Sequence, residues 1–312
     1  MEILDLRHLS ARDLEPLLEE EKVLWRDRLQ WDYTLSAGII KRFADARSLP
    51  GFAAMDGGKA VGFSFFVYED YKGLIGDVFV SDSCPNGGAA LELLTHVVET
   101  IRGTPGVRRI ETQLMNFGNR PIGPWLRSRD FQSYRRKFMC LSLDDCPAPV
   151  SRPAEVRIVP WDARWFSEAV HLITQAYESH VDSRISDHYR TTAGAGRFLD
   201  NLLHYPGCGD FQGACSVLAF PKDSSQPCGM LLASQVGEGV GHITQLCVAP
   251  HFRGLGVGYN LVCRAIQSFC RNQFRAVTLT VTESNRRAVQ LYEQLGFVPL
   301  REFDAFAWES PE

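Results

Sequence analysis

The run Arg253-Gly254-Leu255-Gly256-Val257-Gly258 constrains this 312-residue chain more than any other segment. It follows an apolar stretch at 243–248 that reads as a strand, and a turn at Pro250. It opens into an amphipathic stretch at 259–269 that reads as a helix. Glycines at a strand-to-helix junction let the backbone come close to a ligand. The amides of the first helical turn lack partners within the helix, and the helix dipole stands behind them. The run reads either as a socket for a phosphate or pyrophosphate or as a tight turn. Two nucleotide motifs fail on spacing. Gly254, Gly256 and Gly258 are two apart, unlike the dinucleotide fingerprint, and Gly258-Tyr259-Asn260 is not the Gly-Lys-Ser/Thr of a P-loop.

A second segment lies at 285–297. Ala288, Leu291 and Leu295 keep helical spacing, Asn285 stands where a cap falls, and Gly296 suits a left-handed stop. Asn285 and Tyr292 are about two turns apart and share a face. An ordinary capped helix with a core tyrosine fits the same pattern.

Together the Arg-x-x-Gly-x-Gly loop and the Asn-x-x-Ala-x-x-Leu-Tyr-x-x-x-Gly-Phe helix resemble the GNAT superfamily of acyl-CoA-dependent N-acetyltransferases, over about residues 241–297. The resemblance implies acetyl-CoA as co-substrate and no metal. It implies that Arg253 and the amides of Gly254, Leu255, Gly256, Val257 and Gly258 hold the coenzyme pyrophosphate. It further implies that the backbone of Leu246, Cys247 and Val248 pairs with the pantetheine arm, that Asn285 places the arm, and that Tyr292 protonates the leaving thiolate. The chemistry agrees: a thiol has a pKa of about 8.5 and a phenol of about 10, so a positioned tyrosine can donate late in the reaction. The attacking amine must be neutral, and the family often places a glutamate base on the strand before the loop. Here His242 falls eleven residues before Arg253, with Thr244 two residues on along the same strand. Histidine titrates in the right range for a base. Glu238 or a water is the alternative.

The length suits two domains. A Pro-rich linker at 147–154 separates a GNAT-like domain at 1–146 from a catalytic domain at 155–312. The halves read as repeats. Val78-Phe79-Val80 and the run from Pro85 to Ala90 align with Val248 and 253–258 at an offset of 168 residues. Residues 108–112 align with 275–279 at 167, and the segment from Asn119 to Phe131 with 285–297 at 166. The first copy reads as worn. Pro85 removes an amide donor, Leu126 stands in place of Tyr292, and Pro121 and Pro124 shorten or kink the matching helix. Gly87 and Gly88 leave open the alternative of a regulatory acyl-CoA site.

The expected fold class is mixed α/β, a mostly antiparallel sheet flanked by helices, as two GNAT-like domains in tandem. In the second half, strands are expected at 155–159, 214–220, 230–236, 241–248, 276–281 and 301–308. Helices are expected at 164–179, 188–203, 259–269 and after Asn285. The polar segment 177–189 borders the acceptor pocket by position, where Glu178 or Asp182 could hold a cation; a solvated loop is the plainer reading. Trp25 and Trp31 serve either a pocket or a core.

The charge of −4 shows no nucleic-acid footprint. No apolar run approaches the ~20 residues of a membrane span. Nine cysteines without a Cys-x-x-Cys pair, and a start lacking a signal core, are expected of a cytoplasmic protein. The expected function is acetyl transfer to a small-molecule primary amine, by direct attack in a ternary complex. The alternatives are acetylation of protein α-amines or lysines, and a non-catalytic acyl-CoA sensor. Oligomeric state is not legible.

Overall fold

A computed structural model describes residues 1–84, 86–118, 120–144, 149–152 and 154–310. Pro85, Asn119 and residues 146–148 and 153, named above in the repeat and the linker, lie outside the described residues. In chain order the strands and helices are β1 (Glu2–Asp5), α1 (Ala11–Leu29), α2 (Thr34–Asp45), β2 (Gly51–Asp56), β3 (Lys59–Glu69), β4 (Lys72–Val80), α3 (Ala89–Gly103), β5 (Arg109–Leu114), α4 (Ile122–Arg127) and β6 (Gln132–Ser142). There follow β7 (Val156–Pro160), α5 (Phe166–Tyr177), α6 (Asp182–Ile185), α7 (Thr192–His204), β8 (Asp210–Phe211), β9 (Val217–Pro221), β10 (Gly229–Gly237), β11 (Val240–Val248), α8 (Val257–Arg271), β12 (Ala276–Thr282), α9 (Arg286–Gln294) and β13 (Val298–Glu309).

The chain divides into two compact units. One comprises Met1–Arg136 with Glu302–Glu312, the other Lys137–Arg301. The sequence division put the whole C-terminal strand with the second half. In the structure the end of β13 goes to the first unit, where Asp304 to Glu309 pair antiparallel with Leu114 to Arg109 of β5. The described part of the Pro-rich stretch is pinned to α8: Gln267 donates to the Pro149 carbonyl at 3.0 Å, and Asn260 exchanges two hydrogen bonds with the backbone of Arg152.

Each unit is a mixed α/β layer with a largely antiparallel sheet. In the first unit β1 to β5 run in order, β1 to β4 pairing antiparallel in turn and β4 parallel to β5. In the second the order β12-β11-β10-β9-β7 has β12 parallel to β11 and the following neighbours antiparallel. Helices cover both faces of the second sheet. α8 and α9 bury Leu261, Ile266, Phe269 and Val289 on one side; α5 and α7 bury Ile173, Ala176 and Leu199 on the other.

The units repeat one another in detail. Gly73 lets Ile101 of α3 sit where a Cβ would stand, at 2.4 Å, and Gly241 does the same for Phe269 of α8 at 2.3 Å. Gly73 and Gly241 are 168 residues apart, and so are Ile101 and Phe269. A β-bulge leaves Gly76 unpaired in β4 and Thr244 unpaired in β11, again at that offset. A methyl at Gly241 must displace the Phe269 ring, so Gly241→Ala is expected to cost roughly 1–3 kcal/mol, as overpacked cores do. Chemical denaturation checks it, and a loss below a few tenths of a kcal/mol would contradict this close packing.

Local chemistry moved some boundaries. The expected helix at 188–203 starts at Thr192, because Asp187–Arg190 is a 3-10 turn and the Thr191 side chain caps α7 through the Gly194 amide. The strand expected from Ala214 begins at Val217, after a 3-10 turn at Gly213–Cys215. α4 is six residues long, consistent with its proline at 124.

Candidate coenzyme and acyl-transfer site

The site of the second unit is built where its two parallel strands part. β11 and β12 pair from Val240–Ala276 to Ile243–Leu279, and both strands continue beyond the last pair. Among the described residues, 245–248 of β11 therefore form an edge without a ladder partner on that side. The bulge at Thr244 precedes this edge and changes the alternation of faces. Gly256 caps α8 at φ 80°, a left-handed conformation that glycine adopts without penalty. No side chain caps the helix, so its first amides point at whatever occupies the space in front.

That space is a cleft of about 430 Å³. Leu246, Cys247, Val248, Arg253, Gly254, Gly256, Val257, Gly258 and Asn285 line it. Leu255 does not; its side chain is exposed. The Arg253 guanidinium donates to the Val248 and Ala176 carbonyls, so its side chain ties the loop to β11 and α5. Arg152 and Arg287 also line the cleft, and Arg152 lies 3.8 Å over the Tyr259 ring. Asn285 accepts from the Ala288 amide as the cap of α9, and its amide nitrogen lies 3.2 Å from His180 Nε2.

Tyr292 is buried beside the cleft rather than lining it, with its ring edge-on to Phe297 at 5.7 Å. Burial, and then the Asp182 carboxylate, push its phenol well above the usual range. His242 is buried too and does not line the cleft. Its Nδ1 lies 2.8 Å from Thr278 Oγ1 and its ring stacks on Phe138. Burial pushes the Cys247 thiol to about 12, so it stays protonated and is a poor nucleophile. No group of three or more potential metal ligands occurs among the described residues.

Sequence spacing did not single out Tyr177 as a site residue. It closes α5, and its hydroxyl donates to the Leu246 carbonyl at 3.3 Å and accepts from Gln245 at 3.1 Å. Tyr189 stacks on it at 4.0 Å. His180 lines the cleft, and burial holds its imidazole below the usual range, with Asp182 opposing that effect. Asp182 accepts a hydrogen bond from Thr282. A second hollow, of about 630 Å³, is lined by Glu178, Arg190, Tyr177 and Tyr189.

The matching place in the first unit differs. There the hollow measures about 20 Å³. The Gly88 amide is occupied by the Asn86 side chain at 2.8 Å, and Glu92 puts an acid in the first turn of α3, where it opposes an anion.

Comparison with known proteins agrees with this architecture. Residues 174–297 match the acetyltransferase (GNAT) family model, and this segment is a GNAT domain. An N-alpha-acetyltransferase of Arabidopsis thaliana, MAK3, is 40% identical over 58 residues. That stretch is 19% of this chain and 30% of the relative, so the chain matches less than a third of it. A GCN5-related N-acetyltransferase from Sphaerobacter thermophilus superposes with a TM-score of 0.68 at 17% identity, over 99% of this chain and 96% of its own. A tandem GNAT protein from the clavulanic acid biosynthesis pathway superposes at 0.60 with 14% identity, over 100% and 99%. These likenesses are of fold. No helix among the described residues is long and apolar enough to cross a membrane.

Proposed function

We propose that the second unit, residues 155–312 in the sequence division, transfers an acetyl group from acetyl-CoA to a primary amine of a small molecule. One observation carries this reading: the uncapped start of α8 and the unpaired edge of β11 open into the same 430 Å³ cleft. The helix amides receive the pyrophosphate. The edge amides of Leu246 to Val248 pair with the pantetheine arm and polarise the thioester carbonyl. A neutral amine attacks the carbonyl carbon, the C–S bond breaks, and Tyr292 supplies the proton that the departing thiolate takes. The protonated Cys247 supports direct transfer without an acyl-enzyme. His242 is the amine's base only if a water chain reaches it; His180, neutral and on the cleft wall, is the better-placed acceptor. The hollow beside Tyr177, with Glu178 on its rim, suits a cationic acceptor. The first unit, with its filled socket, binds no coenzyme.

A peptide α-amine is the second reading, favoured by the local likeness to an N-alpha-acetyltransferase. Titration calorimetry of the full chain with acetyl-CoA is expected to give one site per chain, and a panel of small amines is expected to release free coenzyme A. Two sites would overturn the reading of the first unit. Acetylation of peptides but of no small amine would establish the second reading, and binding without turnover on either class would establish a sensor.

A further inference from the structure

The segment ahead of β7 sends one guanidinium to the coenzyme cleft. Arg152 lies outside residues 174–297, which match the family model, so the family likeness gives it no role. It is held at both its backbone and its side chain. Asn260 of α8 is 5% exposed and spends both ends of its side-chain amide on this one residue. The Arg152 amide donates to Asn260 Oδ1 at 2.8 Å, and Asn260 Nδ2 donates to the Arg152 carbonyl at 2.9 Å. The guanidinium lies 3.8 Å over the Tyr259 ring and donates to Gln294 Oε1 at 3.3 Å. Arg152, Tyr259 and Gln294 all line the cleft. A side chain fixed in this way loses less freedom when it meets a ligand.

The charge at this corner is unanswered. Three arginines, 152, 253 and 287, are among the described residues that line the cleft, and no aspartate or glutamate is. Arg253 is turned to the Val248 and Ala176 carbonyls. Among the described residues neither Arg152 nor Arg287 is paired with a carboxylate. A fixed guanidinium without a counter-charge suits an anion, and the order of the site says which one. Coenzyme A runs from its thioester through pantetheine and pyrophosphate to an adenosine that carries a 3′-phosphate. The cleft offers the β11 edge and Asn285, then the uncapped start of α8, then Tyr259 and Arg152. Gln294, which Arg152 touches, is nine residues along α9 from Asn285, about 13 Å by helix rise. Once the amides of α8 hold the pyrophosphate, the phosphate beyond it is the one that meets Arg152. A phosphate monoester carries about −1.5 to −2 charges at neutral pH, and a guanidinium meets it with two parallel N–H donors.

We propose that Arg152 receives the 3′-phosphate of acetyl-CoA and makes the second unit select the complete coenzyme over its dephospho form. This assignment rests on the reading of the cleft as a coenzyme site.

The test titrates the full chain with acetyl-CoA and with acetyl-dephospho-CoA, read by calorimetry. The dephospho donor is expected to bind roughly tenfold more weakly, through loss of a charge-assisted hydrogen bond. Arg152→Gln is expected to weaken acetyl-CoA by about the same factor and to leave the dephospho donor unchanged, so that the variant no longer distinguishes the two. That unchanged affinity, with an unchanged melting temperature, also shows that the variant folds. Equal affinity of the parent protein for both donors would overturn the proposal. So would an Arg152→Gln variant that weakens both donors alike, which would assign the guanidinium to the pyrophosphate or to the fold. A discrimination abolished by Arg287→Gln but kept in Arg152→Gln would move the role to the other arginine. Absence of acetyl-CoA binding in the parent protein is a different failure: it would remove the coenzyme reading of the cleft, and this proposal with it.

Discussion

Gly256→Glu is expected to lower acetyl-CoA affinity by roughly a hundredfold or more, because losing two charge-assisted hydrogen bonds to the pyrophosphate removes about 3 kcal/mol or more. Two effects add. Gly256 sits at φ 80° and ψ −3°, where an L side chain is strained. A carboxylate there also enters the field of an uncapped helix start and competes for the amides of α8. Gly256→Asn separates the two, since asparagine tolerates the left-handed region and brings no charge. Asparagine is expected to keep most of the affinity, and calorimetry on both variants checks this. If asparagine were as damaging as glutamate, the backbone turn rather than the anion socket would be the sensitive element. If half of the binding capacity survived Gly256→Glu, the first unit would hold coenzyme after all.

What the sequence made legible was local. The glycine socket, the capped helix at 286–294 and the one-face periodicity of α8 all lie within windows of a few turns, where spacing dictates geometry. The repeat was legible because its offsets are almost constant, and the matching glycines at 73 and 241 bear it out. The walls of the cleft were less so. Tyr177 and His180 meet the coenzyme loop across some seventy residues of chain, and Arg152 meets α8 across about a hundred. No periodicity reports such meetings; a register must form first. The bulge at Thr244 is a similar case. Plain alternation puts His242 and Thr244 on one face, whereas an unpaired Thr244 resets the alternation beyond it. The end of β13 is the third: its place in the first unit depends on pairing with β5, some two hundred residues earlier in the chain.

Tyr292→Phe is expected to lower turnover by roughly ten- to a thousandfold, at or somewhat below the general-acid range, while acetyl-CoA affinity stays nearly unchanged. The substitution removes only the hydroxyl, and the ring keeps its contact with Phe297. A structural tyrosine would behave in the opposite way, with losses in melting temperature and coenzyme affinity together and a preserved kcat. The pH dependence adds a separate check. Burial and Asp182 raise the phenol above its ordinary value near 10, so Tyr292 holds its proton throughout the working range. Its folded value lies above its unfolded one. The stability linked to the neutral phenol is therefore complete below pH 10 and lost only as pH rises beyond it. Turnover in the parent protein should accordingly show no alkaline limb from Tyr292 below pH 10, leaving any acidic limb to the base that deprotonates the amine. An alkaline loss of kcat near pH 9 that vanished in the phenylalanine variant would mean that the phenol titrates as an exposed group, and the assignment of a buried, always-protonated donor would fall.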